Sequence, residues 1–146
     1  MVHFITAAET LPLRSSQLRN GQPAANCYLD RDHEPTTFHM GLRGADGSIL
    51  SVLTCQIEAL EGYTGTGYRL RGMATHPLHQ GKGIGSQLLG KAIAHLTHAI
   101  QAGYIWCHAR RAAYGFYQRA GFEFISEEFE ILKIGPHRVM YRSLTH

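Results

Sequence analysis

The sequence predicts a mixed α/β domain, of the α+β kind, from three observations. The chain has 146 residues, the length of a single domain, so we assign residues 1–146 to one. Its apolar residues alternate with period 2 in Ser48–Ala59 and follow a helical period from Ile84 onward. The patterns run strand, helix, three strands, helix, strand, helix and strands, which predicts a mixed sheet with helices packed on it.

The first half of the chain begins with a strand and a helix. Val2–Ala7 predicts the strand, and Glu9–Asn20 predicts a helix that stops where Asn20 meets Gly21. Thr37–Arg43 has the pattern of a second strand. The turn residues Ala45–Gly47 then predict a hairpin into the strand that follows.

The clearest strand pattern is Ser48–Ala59. Its alternation places Leu53 and Cys55 on one face, and the other face begins apolar and ends at the polar Glu58. A glycine-rich connector leads to Tyr68–Thr75, which predicts another strand.

The second half begins with a long amphipathic helix. From Ile84 to Ile100 the apolar residues form one broad stripe, and Gly103 ends the helix. A buried strand, a second helix and two final strands are then predicted at Tyr104–Cys107, Arg111–Ala120, Phe122–Ser126 and Val139–Leu144.

The composition excludes several classes of protein. A formal net charge of +3 is too small for the basic surface of a dedicated nucleic-acid binder, so we expect no nucleic-acid partner. The absence of an apolar run of about 18 residues predicts no membrane span. The three cysteines, Cys27, Cys55 and Cys107, form no CxxC spacing and predict reduced, buried thiols. We therefore expect a cytoplasmic protein.

A glycine loop joins the strand that ends at Thr75 to the helix that begins at Ile84. Gly81, Gly83 and Gly85 allow a tight turn, and the free amides at the helix start attract an anion beside Lys82. A pyrophosphate fits such a site. The spacing matches neither the Walker pattern nor the dinucleotide fingerprint. Alone, the loop is equally well explained as an ordinary strand-to-helix turn.

Two motifs together resemble the GNAT superfamily of N-acyltransferases over most of the chain. Gln80–Gly85 fits its Q/R-x-x-G-x-G/A signature for acyl-CoA, and Ala113–Phe122 resembles its second motif, A-x-x-F/L-Y-x-x-x-G-F. The resemblance implies a mostly antiparallel central sheet with a splayed parallel strand pair and flanking helices. Three further segments resemble a group of uncharacterised GNAT proteins of bacterial type: Leu70–Thr75, Trp106–Arg110 and Gly135–Met140.

The resemblance also implies an activity and the residues that perform it. The protein is expected to move an acetyl group from acetyl-CoA to a primary amine, directly and in a ternary complex. The Met73 amide polarises the thioester carbonyl, and Tyr117 is the general acid for the departing thiolate. Cofactor contacts are expected from Met73, Ala74 and Thr75 along the pantetheine arm, and from Gln80, Gly81, Lys82, Gly83, Ile84, Gly85 and Ser86 at the pyrophosphate. Arg110 stands where many relatives have a CoA-binding asparagine.

The base and the acceptor stay open in the sequence. Glu58, His108 and His137 are candidate bases, each with the alternative of an ordinary polar side chain. Arg71, or Arg14 and Arg19 on the first helix, are candidates to bind a carboxylate of an acidic acceptor. Small-molecule and protein amines both remain open as acceptors, as does a homodimer.

Two other readings compete with this enzyme. A non-catalytic acyl-CoA sensor or interaction module on the same fold would keep the cofactor motif without turnover. The histidine pairs His76/His79 and His95/His98 have a spacing that metal sites use. The first pair borders the cofactor motif and the second lies off the apolar stripe, so no metal is expected.

Overall fold

The computed structural model describes residues 1–145 and contains one sheet with helices. The strands are β1 (Val2–Ile5), β2 (Phe38–Arg43), β3 (Ile49–Ile57), β4 (Gly67–Thr75), β5 (Tyr104–Arg110), β6 (Glu123–Phe124), β7 (Phe129–Ile131) and β8 (Gly135–Ser143). The α-helices are α1 (Ala7–Leu18), α2 (Ile84–His95) and α3 (Tyr114–Arg119). No helix within residues 1–145 is long and apolar enough to cross a membrane.

The eight strands form a mostly antiparallel sheet, which confirms the predicted fold class. The order is β1-β2-β3-β4-β5-β8-β6, with β7 paired to β8. The strands β4 and β5 form a parallel pair, with Gly67 opposite Tyr104, Tyr68 opposite Ile105 and Arg69 opposite Trp106. The register matters for the site because it places Arg69 beside Trp106.

The chain forms two compact units, and the first comprises Met1–Gln56 and Leu70–Ala92. Leu13 of α1, Val52 of β3 and Ala74 of β4 form a buried apolar cluster there. Removing such side chains from water is the main favourable contribution to folding. The cluster packs the end of β4 that leads into the glycine loop against a helix and a neighbouring strand of the same unit.

The second unit comprises Ile57–Arg69 and the described chain from Ile93 onward. In it β5 pairs with β8 over seven residues, from Tyr104 opposite Ser143 to Arg110 opposite His137. Ile105, Cys107 and Met140 are at most 2% exposed and belong to its core. The sequence placed the end of this strand at Cys107. The pairing with β8 extends it to Arg110, because a partner strand satisfies the backbone of polar residues equally well.

The start of α1 corrects the sequence-based boundaries. Thr6 caps the helix: its hydroxyl accepts the Glu9 amide at 3.2 Å, and the Glu9 carboxylate accepts the Thr6 amide at 2.9 Å. This capping box satisfies two amide groups that would otherwise lack partners. The first strand therefore ends at Ile5 instead of Ala7, and the helix begins two residues before the predicted Glu9.

Other boundaries differ in the second half. The predicted helix from Ile84 is α-helical to His95 and continues as a π-helix at Leu96–Ile100. The predicted helix Arg111–Ala120 begins with a 3₁₀ turn and becomes α3. β7 was not predicted, since three residues are too short to show a period.

Candidate functional site

The connection from β4 to α2 in the first unit has the geometry that the glycine loop predicted. β4 ends at Thr75, a 3₁₀ turn covers Pro77–His79, and α2 begins at Ile84. Gly81 and Gly83 both have a φ of +78°. Gly85, the third glycine of the motif, is the second residue of α2. Two of the three glycines therefore form the turn, and the third lies in the first turn of the helix.

The left-handed backbone explains why glycine is needed at these two positions. A Cβ atom at Gly81 or Gly83 would meet nothing within 4 Å, so protein crowding does not require glycine there. The positive φ does, because other L-residues are strained in that conformation. Both glycines and Lys82 are exposed. The turn is thus an open backbone cradle beside a positive charge.

Hydrogen bonds hold the loop to the strands of the first unit. The His76 amide donates to the Leu50 carbonyl at 2.7 Å, and the Leu78 amide donates to His76 Nδ1 at 3.2 Å. The Gln80 side-chain amide donates to the Thr75 carbonyl at 3.1 Å. The Gln80 side chain therefore fastens the end of β4. The first amides of α2 lack helical acceptors, and a pyrophosphate fits such amides.

The last residues of β4 lie beside β3 through polar contacts. The Ser51 hydroxyl donates to the Ala74 carbonyl at 3.3 Å and contacts the Thr75 hydroxyl at 2.9 Å. Ala74 is buried, while Met73 and Thr75 are half-buried. The strand segment predicted to line the pantetheine arm is therefore anchored on one side and partly accessible.

A further glycine with positive φ lies within β4. Gly72 has a φ of +61°, directly before Met73. A Cβ atom at Gly72 would lie 2.9 Å from Arg14 Nε, so the arginine occupies the space where a side chain would stand. The close approach of Arg14 and the left-handed backbone both require glycine at this position.

Arg14 itself is the centre of a buried polar network, which makes its predicted role wrong. The residue is 1% exposed. Its Nη1 and Nη2 donate to the Asp32 carboxylate at 2.7 and 3.1 Å, and Nη2 also donates to Thr54 Oγ1 at 2.7 Å. An arginine paired in this way is not available to a carboxylate of an acceptor. Arg14 is instead one partner of a buried ion pair that belongs to the structure of the protein.

Two titratable groups of this network have shifted pKa values. Burial alone would raise the pKa of Asp32, but the hydrogen bonds from Arg14 and the Leu29 amide outweigh it and hold the value below 3.8. Burial lowers the pKa of His39, whose ring contacts Thr54 Oγ1 and the Asp32 carbonyl. The network therefore holds a charged carboxylate and a neutral imidazole.

Tyr117, the predicted general acid, lies in α3 of the second unit. The residue is 7% exposed, and its ring packs at 5.1 Å from the ring of Phe116 and 5.4 Å from that of Phe122. The Phe122 amide donates to its carbonyl at 3.0 Å. These contacts fix the tyrosine on a short helix. Arg110, the predicted CoA contact, is exposed at the end of β5.

Two candidate bases, Glu58 and His108, meet at one arginine of the second unit. Arg69 Nη1 lies 3.5 Å from Glu58 Oε2, and Arg69 Nη2 lies 3.3 Å from His108 Nδ1. The guanidinium carbon is 5.2 Å from the centre of the Trp106 ring. The Trp106 indole in turn donates to the Glu58 carbonyl at 2.9 Å. Glu58, Arg69, Trp106 and His108 therefore form one connected cluster, the Arg69 cluster.

The third candidate base, His137, lies next to this cluster. Its Nδ1 lies 2.8 Å from the Gly135 carbonyl, so that nitrogen is the donor. The Phe129 ring packs against both imidazoles, at 5.3 Å from His108 and 6.2 Å from His137. His137 is 4% exposed, which leaves it less accessible than Glu58 or His108.

Arg69 is a functional candidate that the sequence analysis did not identify. Its contacts depend on the register that sets it opposite Trp106 and on the connector that returns Glu58 to it. Neither the strand register nor the path of the connector can be read from a local sequence pattern.

Cys107 is a buried thiol in the core of the second unit. Burial raises the pKa of Cys107 to about 12, and that thiol is 2% exposed. Within residues 1–145, no group of three or more histidine, cysteine or acidic side chains is arranged to hold a metal ion.

Comparison with known proteins identifies the family. A family model described as an acetyltransferase (GNAT) domain matches residues 45–124. The Bacillus subtilis protein named uncharacterized N-acetyltransferase YitI is 34% identical over 145 residues, which cover 98% of this chain and 95% of the relative.

Solved structures show the same fold at low identity. An aminoglycoside 6′-acetyltransferase of type Ii matches with a TM-score of 0.77 and 12% identity, covering 100% of this chain and 98% of the other. An aminoglycoside 6′-N-acetyltransferase complexed with coenzyme A matches with a TM-score of 0.74 and 11% identity, covering 100% of this chain and 98% of the other. A spermidine N-acetyltransferase mutant from Vibrio cholerae matches with a TM-score of 0.72 and 16% identity, covering 99% of this chain and 93% of the other. The glycine cradle between β4 and α2 and the short helix α3 with Tyr117 are consistent with this family. The family model and the Bacillus relative show that the chain belongs to the GNAT superfamily and is an acyltransferase.

Proposed function

We propose that this acyltransferase moves an acetyl group from acetyl-CoA to a primary amine, by direct attack of the amine in a ternary complex. The observation that carries the proposal is the cradle between β4 and α2, with its two left-handed glycines beside Lys82. A family member with this cradle has a place for the pyrophosphate of an acyl-CoA. A solved structure of the same fold contains coenzyme A.

In this proposal the first unit binds the acyl-CoA. The backbone amides from Gln80 to Ser86 donate to the pyrophosphate, and Lys82 adds its charge. Backbone groups of Met73, Ala74 and Thr75 pair with the pantetheine arm as an added strand would. The glycine at position 72 turns the strand directly before Met73, whose amide donates to the thioester carbonyl.

Tyr117 supplies the proton that the departing thiolate needs. A buried phenol on a fixed helix is a suitable general acid, since packing limits its movement. Arg110, exposed at the end of β5, is proposed to contact a phosphate or carbonyl of CoA.

Glu58 is the proposed base that takes the proton of the attacking amine. Arginine nitrogens have no acceptor capacity, so His108 Nδ1 accepts from Arg69 and its neutral ring carries the proton on Nε2. That tautomer has no lone pair on Nε2 to receive a further proton. A carboxylate keeps several acceptor positions, so Glu58 fits the role better than His108.

The remaining features of the proposal concern the setting of the enzyme. The whole chain acts as one acetyltransferase domain in the cytoplasm, and it acts without a metal. The named activities of its structural relatives are on spermidine and on aminoglycosides, which are amines. Small-molecule and protein amines are both included as acceptors in the screen below. Whether the enzyme forms a homodimer stays open.

A broad amine screen that monitors free CoA tests the activity. We expect purified protein to bind acetyl-CoA in calorimetry and to release CoA only when an acceptor amine is present. Binding without release for any amine would favour the sensor alternative. Failure to bind acetyl-CoA would contradict the proposal.

Replacing Tyr117 with Phe tests the general acid. We expect kcat to fall by about 10²–10⁴ while the Kd of acetyl-CoA stays unchanged, because only the proton donor is removed. Tyr114→Phe is the matched control, since that hydroxyl lies on the same helix and donates to Glu128 at 3.0 Å. An unchanged kcat in the Tyr117 variant would exclude the role.

A further inference from the structure

Arg69 is held in place, but its hydrogen-bonding capacity is not filled. The guanidinium lies over the Trp106 ring, and its two polar contacts, to Glu58 and His108, measure 3.5 and 3.3 Å. Hydrogen bonds between ionised groups are typically about 2.7–2.9 Å. Its Nε is buried and has no hydrogen-bond partner among the described residues. The guanidinium is therefore prepositioned and weakly paired.

The exposure of the pair leaves room for a ligand. The Arg69 side chain is 20% exposed and that of Glu58 is 26% exposed. A guanidinium offers five N–H donors in a planar fork, and its preferred guest is a carboxylate or a phosphate. Stacking on an aromatic ring limits the side-chain freedom that binding would otherwise cost.

We propose, on the basis of the acetyl transfer above, that Arg69 binds a carboxylate of the acceptor. The acceptor class is then an amine that also carries a carboxylate, as an amino acid does. The ligand carboxylate replaces the long contact between Arg69 and Glu58 with a shorter charge-assisted one. Glu58 is left to accept from the ammonium of the same ligand and to take its proton before attack.

The same pair disfavours other ligand classes. A polyamine would meet the Arg69 charge, and a phosphate dianion would meet the Glu58 carboxylate. A zwitterion has one group for each member of the pair. Arg69 also lies on β4, four positions before Met73, so one strand carries both the proposed carboxylate contact and the proposed thioester contact.

Matched acceptors test this inference. Lysine, ornithine and phenylalanine are each compared with the corresponding amino-acid amide and decarboxylated amine, and CoA release is corrected for the free-amine fraction. We expect the wild-type kcat/KM to be about tenfold to a hundredfold higher for the acids. Arg69→Met should bring that ratio close to one while the Kd of acetyl-CoA stays unchanged.

The control variant is Arg138→Met. Arg138 also stacks on an aromatic ring, 3.7 Å from the centre of Phe124, and donates to the Ser126 carbonyl at 3.0 Å. It should keep the preference for acids, although it loses a similar packing contact. If Arg69→Met fails to fold, Arg69→Lys keeps the charge, loses the planar fork and should reduce the preference.

Three results would overturn the inference. They are equal use of acids and amides by the wild type, no turnover of any acid, or a preference that survives Arg69→Met. None of them affects acetyl-CoA binding or the Tyr117 effect, so the proposed function would stand. Loss of acetyl-CoA binding in the wild type would instead remove both.

Discussion

Each unit of the molecule contains an arginine paired with a carboxylate, and the two pairs differ in depth and geometry. In the first unit Arg14 and Asp32 are joined by bonds of 2.7 and 3.1 Å, and their side chains are 2% and 0% exposed. In the second unit Arg69 and Glu58 are 3.5 Å apart, with side chains 20% and 26% exposed.

The difference separates the structural Arg14 from Arg69, for which we propose a binding role. A buried ion pair is kept only when further hydrogen bonds compensate for lost hydration, and Arg14 also donates to Thr54 and to the Cys27 carbonyl. Arg69 has fewer and longer contacts and retains access to solvent. Its weaker pairing is a cost in stability that is compatible with a role in recognition.

The largest expected effect follows from breaking the buried pair. Asp32→Asn leaves the Arg14 charge uncompensated, and we expect a loss of about 3–5 kcal/mol in the free energy of unfolding. Urea denaturation at pH 7 measures it. The asparagine amide also has an NH2 group in place of one carboxylate oxygen, so it cannot accept all three hydrogen bonds that Asp32 accepts from Arg14 and the Leu29 amide.

The matching change in the second unit is Glu58→Gln. Because that pair is partly hydrated and long, we expect a stability change of less than about 1 kcal/mol. Similar losses for the two variants would show that depth does not separate the pairs. The comparison would then need another basis.

An effect smaller than that of Asp32→Asn is expected at Gly72, which Arg14 packs against. Gly72→Ala puts a side chain in the left-handed region and 2.9 Å from Arg14 Nε, and we expect a loss of about 2–4 kcal/mol. Gly47→Ala is the control, because φ there is +85° and nothing lies within 4 Å. That variant should lose only about 1–2 kcal/mol. Equal losses would mean that crowding by Arg14 adds nothing.

The sequence predicted the cradle because its signals are local. Gly81 and Gly83 stand between a strand pattern and a helix pattern, and the motif spacing names the family. Most strands were also predictable, since a period of 2 needs only neighbouring residues. The capping box of Thr6 and Glu9 was present in the sequence and would have corrected the start of α1.

The two arginines show where sequence reasoning stops. Arg14 lies in a helix with no local sign that Asp32, eighteen positions later, neutralises it in the core. Arg69 and Glu58 are separated by a connector, and only the register with Trp106 brings the cluster together. Charge alone predicts an exposed side chain. Long-range pairing decided both cases.

A pH-dependent effect is expected from the histidine of the buried network. Burial lowers the pKa of His39 below 6.5, so the unfolded chain binds a proton there more readily than the native protein. Stability from this group is complete above pH 6.5 and falls as the pH drops toward the lowered native value, by at most about 1.4 kcal/mol per pH unit. His39→Gln should flatten the pH dependence of the unfolding free energy just below pH 6.5, compared with the wild type. Below pH 3.8 both proteins should lose further stability, because the lowered pKa of Asp32 acts in the same direction. An identical slope in the two proteins just below pH 6.5 would show that His39 is not held neutral. Glu58→Gln should leave that slope unchanged, since its carboxylate lies outside the His39 network.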